Sequence, residues 1–536
     1  MSLVSRARAD GRHLWAFSLG CIAVTAGVLL HLPMFWMGRH TGFRLADMPM
    51  DPGMLWGMVF IVAGIAAAAY GLLPSRRPAP SDARFTVVAA DDMPLTRAHW
   101  QLIAMLTVAL IIDVMKPASL GFVVPGMIVE YGVDKTTVAW LPFAALAGTV
   151  VGSVAWGLIA DVYGRRAAIL LAAVMFIGTA ICGAMPSLWW NVGMCFLMGA
   201  AAGGLLPVAY ALLAEMMPSR HRGWALVLVG GLGAAGGYLA ASGCSAWLQP
   251  WFGWRILWLL NLPTGLVLIL LNTLIPESAS FLLSRGHNED AQVVMHHFGI
   301  TVRPAAAVPP PVATADRGAG AAVDRASAAA AVQSRWNGAS QVAAKTWALS
   351  VTAIAWGLIN FGLLLWMPAH LVAKGYSVAL SSELLAASAL IAVPTVFLAA
   401  LLYSRWSAKG ALLGAIALTA AGLAGVLQLE LGQPAHASPV IPIAILIVGI
   451  NGIIAMLLPF AAESYPLKFR GRATGWVAAC TKGGGLLAQL LSLSGLVPAL
   501  WLSALIILAP VSISLVLVLF FCAETRGRDL HELEPA

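Results

Sequence analysis

The sequence predicts an all-α polytopic membrane protein: fourteen transmembrane helices, arranged as two six-helix halves plus an N-terminal two-helix hairpin. Three observations carry that reading. Of 536 residues, 60% are hydrophobic and only 10% charged, whereas soluble domains carry about a quarter charged residues. The apolar residues gather in runs long enough to cross a hydrocarbon layer of roughly 30 Å. The third observation is an internal repeat. Glu215-x-x-Pro218-x-x-x-Arg222-Gly223 recurs 248 positions later as Glu463-x-x-Pro466-x-x-x-Arg470-Gly471. At the same offset Gly236 and Gly237 match Gly484 and Gly485, and Leu239 and Ala240 match Leu487 and Ala488. A repeat of this kind puts any internal site at the interface between its two copies.

Taken in order, Arg6, Arg8 and Arg12 precede an apolar run from about Leu14 to Trp36. It is too long for a signal peptide and no small-residue cleavage site follows, so it reads as a retained helix. A second run, about Met54 to Leu73, completes the hairpin, whose loop from Arg39 to Asp51 lies outside. The hairpin is expected to pack on the lipid-facing side of the bundle. The Pro- and Arg-rich linker Ser75 to His99 returns the chain to the cytoplasm and ends the N-terminal unit, 1–99. Core segments 1 to 6 follow at about 100–129, 136–160, 165–185, 188–216, 223–248 and 254–275, making a half of 100–275. A cytoplasmic loop occupies 276–344. Within it, Thr301 to Ser340 reads as a mobile linker, Ala-, Pro- and Val-rich with no periodicity to bury a face. Core segments 7 to 12 lie at about 345–371, 379–403, 410–429, 439–461, 472–495 and 499–522, in a half of 345–524, before a cytoplasmic tail of 525–536.

Charge fixes the orientation. With both termini in the cytoplasm, 24 of the 31 Lys and Arg fall on that side. Five (Arg39, Arg44, Lys135, Arg255 and Lys374) fall outside, and two, Lys116 and Lys482, fall within the membrane. Short loops rich in Lys and Arg stay in the cytoplasm. The net charge of +8 thus reflects those loops and not a nucleic-acid partner. The six cysteines include no CxxC pair and read as small buried residues, with neither a disulfide framework nor a metal site. No GxxxxGK[ST] loop is present and the histidines are scattered, so an ATP-driven pump or metal-dependent membrane enzyme finds no support. No catalytic residue, metal or cofactor is expected. Gly231-Leu-Gly233-Ala-Ala-Gly236 fits a dinucleotide fingerprint but sits inside an apolar helix, where it reads as a packing face.

The turn Gly157 to Arg166, GLIADVYGRR, resembles the loop between the second and third helices of the major facilitator superfamily. Further resemblance lies in Gly203 to Gly223 (GGLLPVAYALLAEMMPSRHRG), GWR at Gly253 to Arg255, PESASFLL at Pro276 to Leu283, LLWMP before the GYS turn (Leu364 to Ser377) and ESYPLKFRGRATGW at Glu463 to Trp476. It covers about Trp100 to Glu524 and is nearest to proton-linked importers of aromatic and other organic acids, with the sugar-porter-like branch a near relative. The resemblance implies a major facilitator fold and a proton-coupled symporter moving a small organic carboxylate by alternating access. It implies a monomer whose partners are a small-molecule substrate, protons and the lipid bilayer, in a bacterial inner membrane. It further implies that Asp161, Arg165, Glu215, Arg222, Glu463 and Arg470 form an ion-pair latch at the cytoplasmic face, although such charges also cap helices and set orientation.

Three departures bear on coupling and direction. Cys195 stands where the superfamily often has an arginine linked to proton coupling. The antiporter motif of segment 5 lacks its proline, which leans away from drug efflux. One Asp113 and Lys482 stand where the organic-acid branch usually shows two aspartates and an arginine. Efflux of amphipathic toxic compounds and a non-transporting sensor that docks through the hairpin remain alternative readings.

The candidate substrate and proton residues lie mid-membrane. Asp113 and Lys116 are three apart on segment 1, so they share a face. Pro117 cannot donate to the Asp113 carbonyl, which leaves a polar backbone oxygen beside both charges. Ionisable groups at that depth are costly and usually face a cavity. Asp113 reads as a proton acceptor, and Lys116 as its counter-charge or an anion contact; a self-neutralising structural pair is the alternative. Lys482 has no sequence neighbour to neutralise it and precedes a triple glycine, which suits a substrate carboxylate or a pairing across the cavity with Asp113. Asn360 and Asn451 lie on segments 7 and 10, which line the cavity in the family, though a buried Asn also glues helices together. Trp140, Trp356 and Trp366 read as stacking surfaces for an aromatic solute or as interfacial anchors.

Overall fold

The computed structural model describes residues 11–73, 85–89, 94–271, 274–304, 342–431, 439–465, 467–495 and 500–525. Twelve helices among these are long and apolar enough to cross a membrane. They comprise the two hairpin helices, Gly11–Leu29 extended by Leu32–Met37 and Pro52–Leu72, together with ten of the core segments. The other two core segments are shorter or more polar. Segment 6 is broken into Ile256–Leu259 and Asn261–Leu271, and segment 11 is Leu467–Leu493, which carries Lys482 and a basic first turn.

Glycine sets the close helix pairs. In the hairpin, a Cβ on Gly20 would meet the backbone of Gly64 and Ala68, and one on Gly27 would meet the Gly57 carbonyl. Segment 2, Trp140–Tyr163, crosses segment 4 in the same manner. Gly148 and Gly152 back onto the Phe196 and Ala200 carbonyls, while Gly199 and Gly203 back onto those of Ala145 and Thr149. Two small residues four apart on each helix thus bring the backbones together, where dispersion and weak polar contacts act. Segment 4 breaks between Leu188–Ala202 and Leu205–Met216. Pro207 has no N–H for the Gly203 carbonyl, and the Ser153 hydroxyl of segment 2 donates to that carbonyl instead, at 2.8 Å.

Segments 1 and 5 run longer than their apolar cores, as Arg97–Tyr131 and Ser219–Phe252. They pack along Gly233, Gly236 and Gly237, which face Leu110, Ile111 and Val114, while Gly231 faces Val396 of segment 8, Val378–Arg405. The GxGxxG stretch is therefore a packing face. Segment 7 begins as an α-helix, widens into a π-helix at Leu358–Leu364 and ends in Met367–Ala373. Segments 9, 10 and 12 are Ala408–Leu431, Val440–Ser464 and Leu500–Phe521.

One feature corrects the linker readings. Phe85–Ala89, within the basic linker, pairs antiparallel with Ile300–Pro304, so that Phe85 lies opposite Pro304 and Ala89 opposite Ile300. The expected mobile linker, Thr301 to Ser340, therefore begins as a strand; its remainder, from 305, lies outside the described residues. A strand pair of this size rests on main-chain hydrogen bonds, which leave no periodic apolar face to read.

The hairpin packs on segment 3, Arg165–Gly178, where Gly178 meets Ile61, Ile65 and Val24. Its opposite faces, with Leu14, Trp15, Ile22, Trp56 and Val62, are apolar and exposed, as expected of helices on the outside of a membrane bundle. Its loop is docked too. The Leu45 and Ala46 N–H groups donate to Glu130 Oε1 at 2.7 and 3.0 Å, and Asp47 N–H donates to the Pro186 carbonyl. Phe43 and Asp47, on either side of these bonds, hold φ of 61° and 62° without being glycine. Tertiary contacts hold such left-handed residues in place against a cost of order 1–3 kcal/mol each. Glu130 is itself buried, paired with Arg255 at 2.6 Å and accepting the Trp254 indole N–H at 2.8 Å.

Candidate functional site

Two clusters of the sequence-selected residues form, one at mid-membrane and one at the cytoplasmic ends. Asp113 and Lys116 are both buried in segment 1. The charges that act on Asp113 are those of Lys116 in its own half and Lys482 in the other. No ion pair closes among the three in the described residues. Lys116 turns toward segment 3, where its ammonium sits on the Phe176 ring and has no hydrogen-bond partner among the described residues.

Lys482 is half-buried, and its ammonium lies 5.3 Å from the centre of the Phe361 ring. Phe361 meets Trp356 edge to face at 5.8 Å, and the Trp356 indole N–H donates to the Ile450 carbonyl at 2.9 Å. The next residue, Asn451, is buried with its amide nitrogen unpartnered. Asn360 is half-buried within the π-helix. The wide turn has a visible support: Gln489 of segment 11 donates to the Phe361 carbonyl at 2.5 Å. π-Turns inside α-helices often mark functional sites. The glycines after Lys482 let segment 7 approach. Gly484 backs onto the Ile354 carbonyl, and Gly485 meets Phe361 and, across the interface, Leu146 of segment 2.

An ammonium beside an aromatic pair is the combination that an anionic solute with a planar ring would engage. Phe361, Phe176 and Gln489 were not selected from the sequence. Phe361 is adjacent to Asn360, but only the azimuth of the π-turn tells it apart from other apolar residues of segment 7. Of the tryptophans, Trp356 and Trp366 are buried, while Trp140 is exposed beside Trp189 as an interfacial residue would be.

At the cytoplasmic ends, Arg165 pairs with Glu215 at 3.0 Å and reaches Asp161 only at 4.0 Å. The Ser278 hydroxyl also donates to Glu215. Beside it, Glu277 accepts the N–H groups of Arg165 and Arg166 at 2.9 and 3.2 Å, capping the start of segment 3 where helix amides lack partners. Burial pushes the Glu277 carboxyl above its ordinary range, against the opposing pull of these N–H groups and the Arg165 charge. The second half repeats the device. Glu524 accepts the Ala408 N–H at 3.0 Å and the Ser407 hydroxyl at the start of segment 9, and Thr525 donates to Glu463 at 3.0 Å. Glu463 also accepts the Tyr403 hydroxyl at 2.7 Å. Arg222 donates to the Met217 carbonyl at 3.5 Å, and the Arg470 side chain lies outside those described.

The ion pairs of Arg165 lie within the first half. The halves themselves touch through Gly223, where a Cβ would stand 3.2 Å from Glu463 Oε1. At the opposite end Gly121 backs onto the Leu365 carbonyl, and the Ser245 and Ser382 hydroxyls are 2.7 Å apart.

Comparison with known proteins agrees with this architecture. The family model of the Major Facilitator Superfamily matches residues 102–488. The niacin transporter NiaP of Acinetobacter baylyi is 25% identical over 458 residues, covering 83% of this chain and 98% of that protein. The 4-hydroxybenzoate transporter PcaK of the same species is 32% identical over 204 residues, 37% of this chain and 44% of that protein. Among solved structures, the xylose transporter XylE from E. coli in a partially occluded inward-open conformation aligns with a TM-score of 0.62 at 15% identity, covering 81% of this chain and 100% of that one. That likeness is one of fold.

Proposed function

The chain belongs to the Major Facilitator Superfamily, a family of membrane transporters and not enzymes, and from that premise we propose that it is a proton-coupled symporter of a small aromatic carboxylate. What supports the reading is a buried carboxylate, Asp113, under the charge of a lysine from the other half, Lys482, whose ammonium stands beside the Phe361 ring. The names of the relatives agree, since niacin and 4-hydroxybenzoate each join one aromatic ring to one carboxylate.

Charge balance supplies a coupling rule. In the empty transporter Asp113 is countered by the two lysines. A substrate carboxylate that engages Lys482 takes one of those charges, and Asp113, deprived of it, binds a proton. Anion and proton then enter together, and the net charge of the occluded site is the same with cargo as without it. Lys116 stays with Asp113 as its fixed counter-charge. Asn360 and Asn451 offer hydrogen bonds to ring substituents. Asp161, Arg165, Glu215, Arg222, Glu463 and Arg470 order the cytoplasmic ends on which each half pivots. In this reading the protein works as a monomer in a bacterial inner membrane, with both termini in the cytoplasm.

The test is uptake of nicotinate, benzoate and 4-hydroxybenzoate into proteoliposomes with and without an inward proton gradient. An acid that accumulates only with the gradient is expected. Lys482→Ala is expected to abolish its uptake, and Asp113→Asn to abolish gradient-driven accumulation while sparing exchange of labelled for unlabelled acid. Wild-type uptake in both correctly inserted variants overturns the proposal. Stabilisation by lipophilic cations and by no acid favours efflux instead.

A further inference from the structure

We propose that the groove between the hairpin and the segment 5–6 corner binds one anionic phospholipid, with an acyl chain in the groove and the headgroup at Arg39 and Arg44. The groove, of about 600 Å³, is walled by Leu29, Leu32, Pro33 and Phe35 of the hairpin and by Phe252, Ile256 and Leu259 opposite. It has no polar wall, so nothing in it rewards water or a polar solute, whereas a hydrocarbon chain gains contact along its length.

The open end sits at the level of the loop. Trp36 lines the groove there and is 56% exposed, and Trp251 nearby is 74% exposed. Indoles in that setting mark the headgroup region of a bilayer. Two arginines beside the groove are exposed: Arg39, whose guanidinium stands 5.5 Å over the Trp36 ring, and Arg44, the neighbour of Phe43, whose ring stacks on Phe35 and meets Phe252. The nearby Glu130 carboxylate is already committed to Arg255, Trp254 and two loop amides. The loop's own carboxylates are placed otherwise: Asp51 caps Pro52–Leu72 through the Gly53 N–H and Asp47 is tied by its backbone to Pro186, whereas the two arginines adjoin residues that wall the groove. Guanidinium groups bind phosphate oxygens in paired hydrogen bonds, and a lipid with a net negative headgroup keeps that attraction, whereas a zwitterionic ammonium opposes it. The docked loop holds both arginines in place, so the lipid site and the loop contact reinforce each other.

The experiment is native mass spectrometry of the full chain, purified and supplied with equimolar phosphatidylglycerol and phosphatidylethanolamine. One retained phosphatidylglycerol per protein is expected, at least tenfold over phosphatidylethanolamine. The pair Arg39→Gln and Arg44→Gln is expected to erase that preference, and Leu32→Trp, which fills the groove, to remove the bound lipid. A monodisperse gel-filtration profile and unchanged thermal unfolding without added lipid certify each variant. Equal retention of the two lipids by the wild-type chain, or retention unchanged in either variant, overturns the proposal.

Discussion

Removing the Glu130 charge while keeping the side-chain shape, as Glu130→Gln, tests how the outer end of the first half is held together. Glu130 and Arg255 are 4% and 0% exposed and 2.6 Å apart. Deleting one partner of such a pair costs about 3–5 kcal/mol, because the other charge stays buried without its counter-ion. Arg255 keeps the Met185 carbonyl at 2.8 Å and the Tyr131 hydroxyl at 3.1 Å, which points to the lower end, about 3 kcal/mol. The amide also puts N–H hydrogens where either the indole of Trp254 or the two loop N–H groups must donate. The pair Lys374 and Glu430 is the internal control: Lys374 is 45% exposed, so Lys374→Gln costs under about 1 kcal/mol. The assay is equilibrium unfolding in mixed micelles followed by tryptophan fluorescence, with hydrogen exchange read at the Leu45 and Ala46 amides. Glu130→Gln is expected to unfold earlier than Lys374→Gln and to lose protection at both amides. Equal stability of the two variants, or full protection at the loop, refutes the reasoning.

Three further outcomes are expected. The folded chain holds the Glu277 proton more tightly than the unfolded chain, since burial raises this carboxyl; ionising it therefore costs the fold, and this group adds stability as pH falls from neutrality toward about 4.3. Glu277→Gln should flatten that part of an unfolding profile taken against pH, and parallel profiles for variant and wild type argue against it. Ser153→Ala leaves the Gly203 carbonyl without its donor and is expected to cost about 1 kcal/mol in the same unfolding assay, whereas no loss means the kink is supported otherwise. Gln489→Leu frees the Phe361 carbonyl, loosens the π-turn and should weaken uptake of the true substrate about tenfold with normal insertion, as loss of a buried hydrogen bond of about 1.4 kcal/mol implies; unchanged uptake separates the turn from the site.

Much of the fold was legible because the bilayer leaves few choices. A long apolar run must be a helix there, since no water satisfies its backbone, and the glycines from Gly231 to Gly236 read as a packing face before any partner is known. The repeat likewise located Glu215 and Glu463 in corresponding places. What stayed hidden depends on azimuth or on distant partners. Lys116 and Asp113 are about 60° apart around their helix by their three-residue spacing, enough for Lys116 to turn to Phe176 of segment 3 without closing an ion pair with Asp113. The π-turn has no local signature because Gln489, more than a hundred residues away, supports it. Glu277 and Glu524 each cap a helix that begins far from them in sequence, so their roles emerge only once segments 3 and 9 are in place.

The docked hairpin gives the two halves unequal bodies. It grips segment 3 through Gly178, seals its loop onto Glu130 and enters a strand pair with residues that follow segment 6. In the alternating-access cycle proposed above, the first half would carry the hairpin with it and meet more drag in the bilayer than the second. The first half would then serve as stator and the second as rotor, so spin labels on segments 7 to 12 should sweep the larger angle when the protein is held to a supported bilayer.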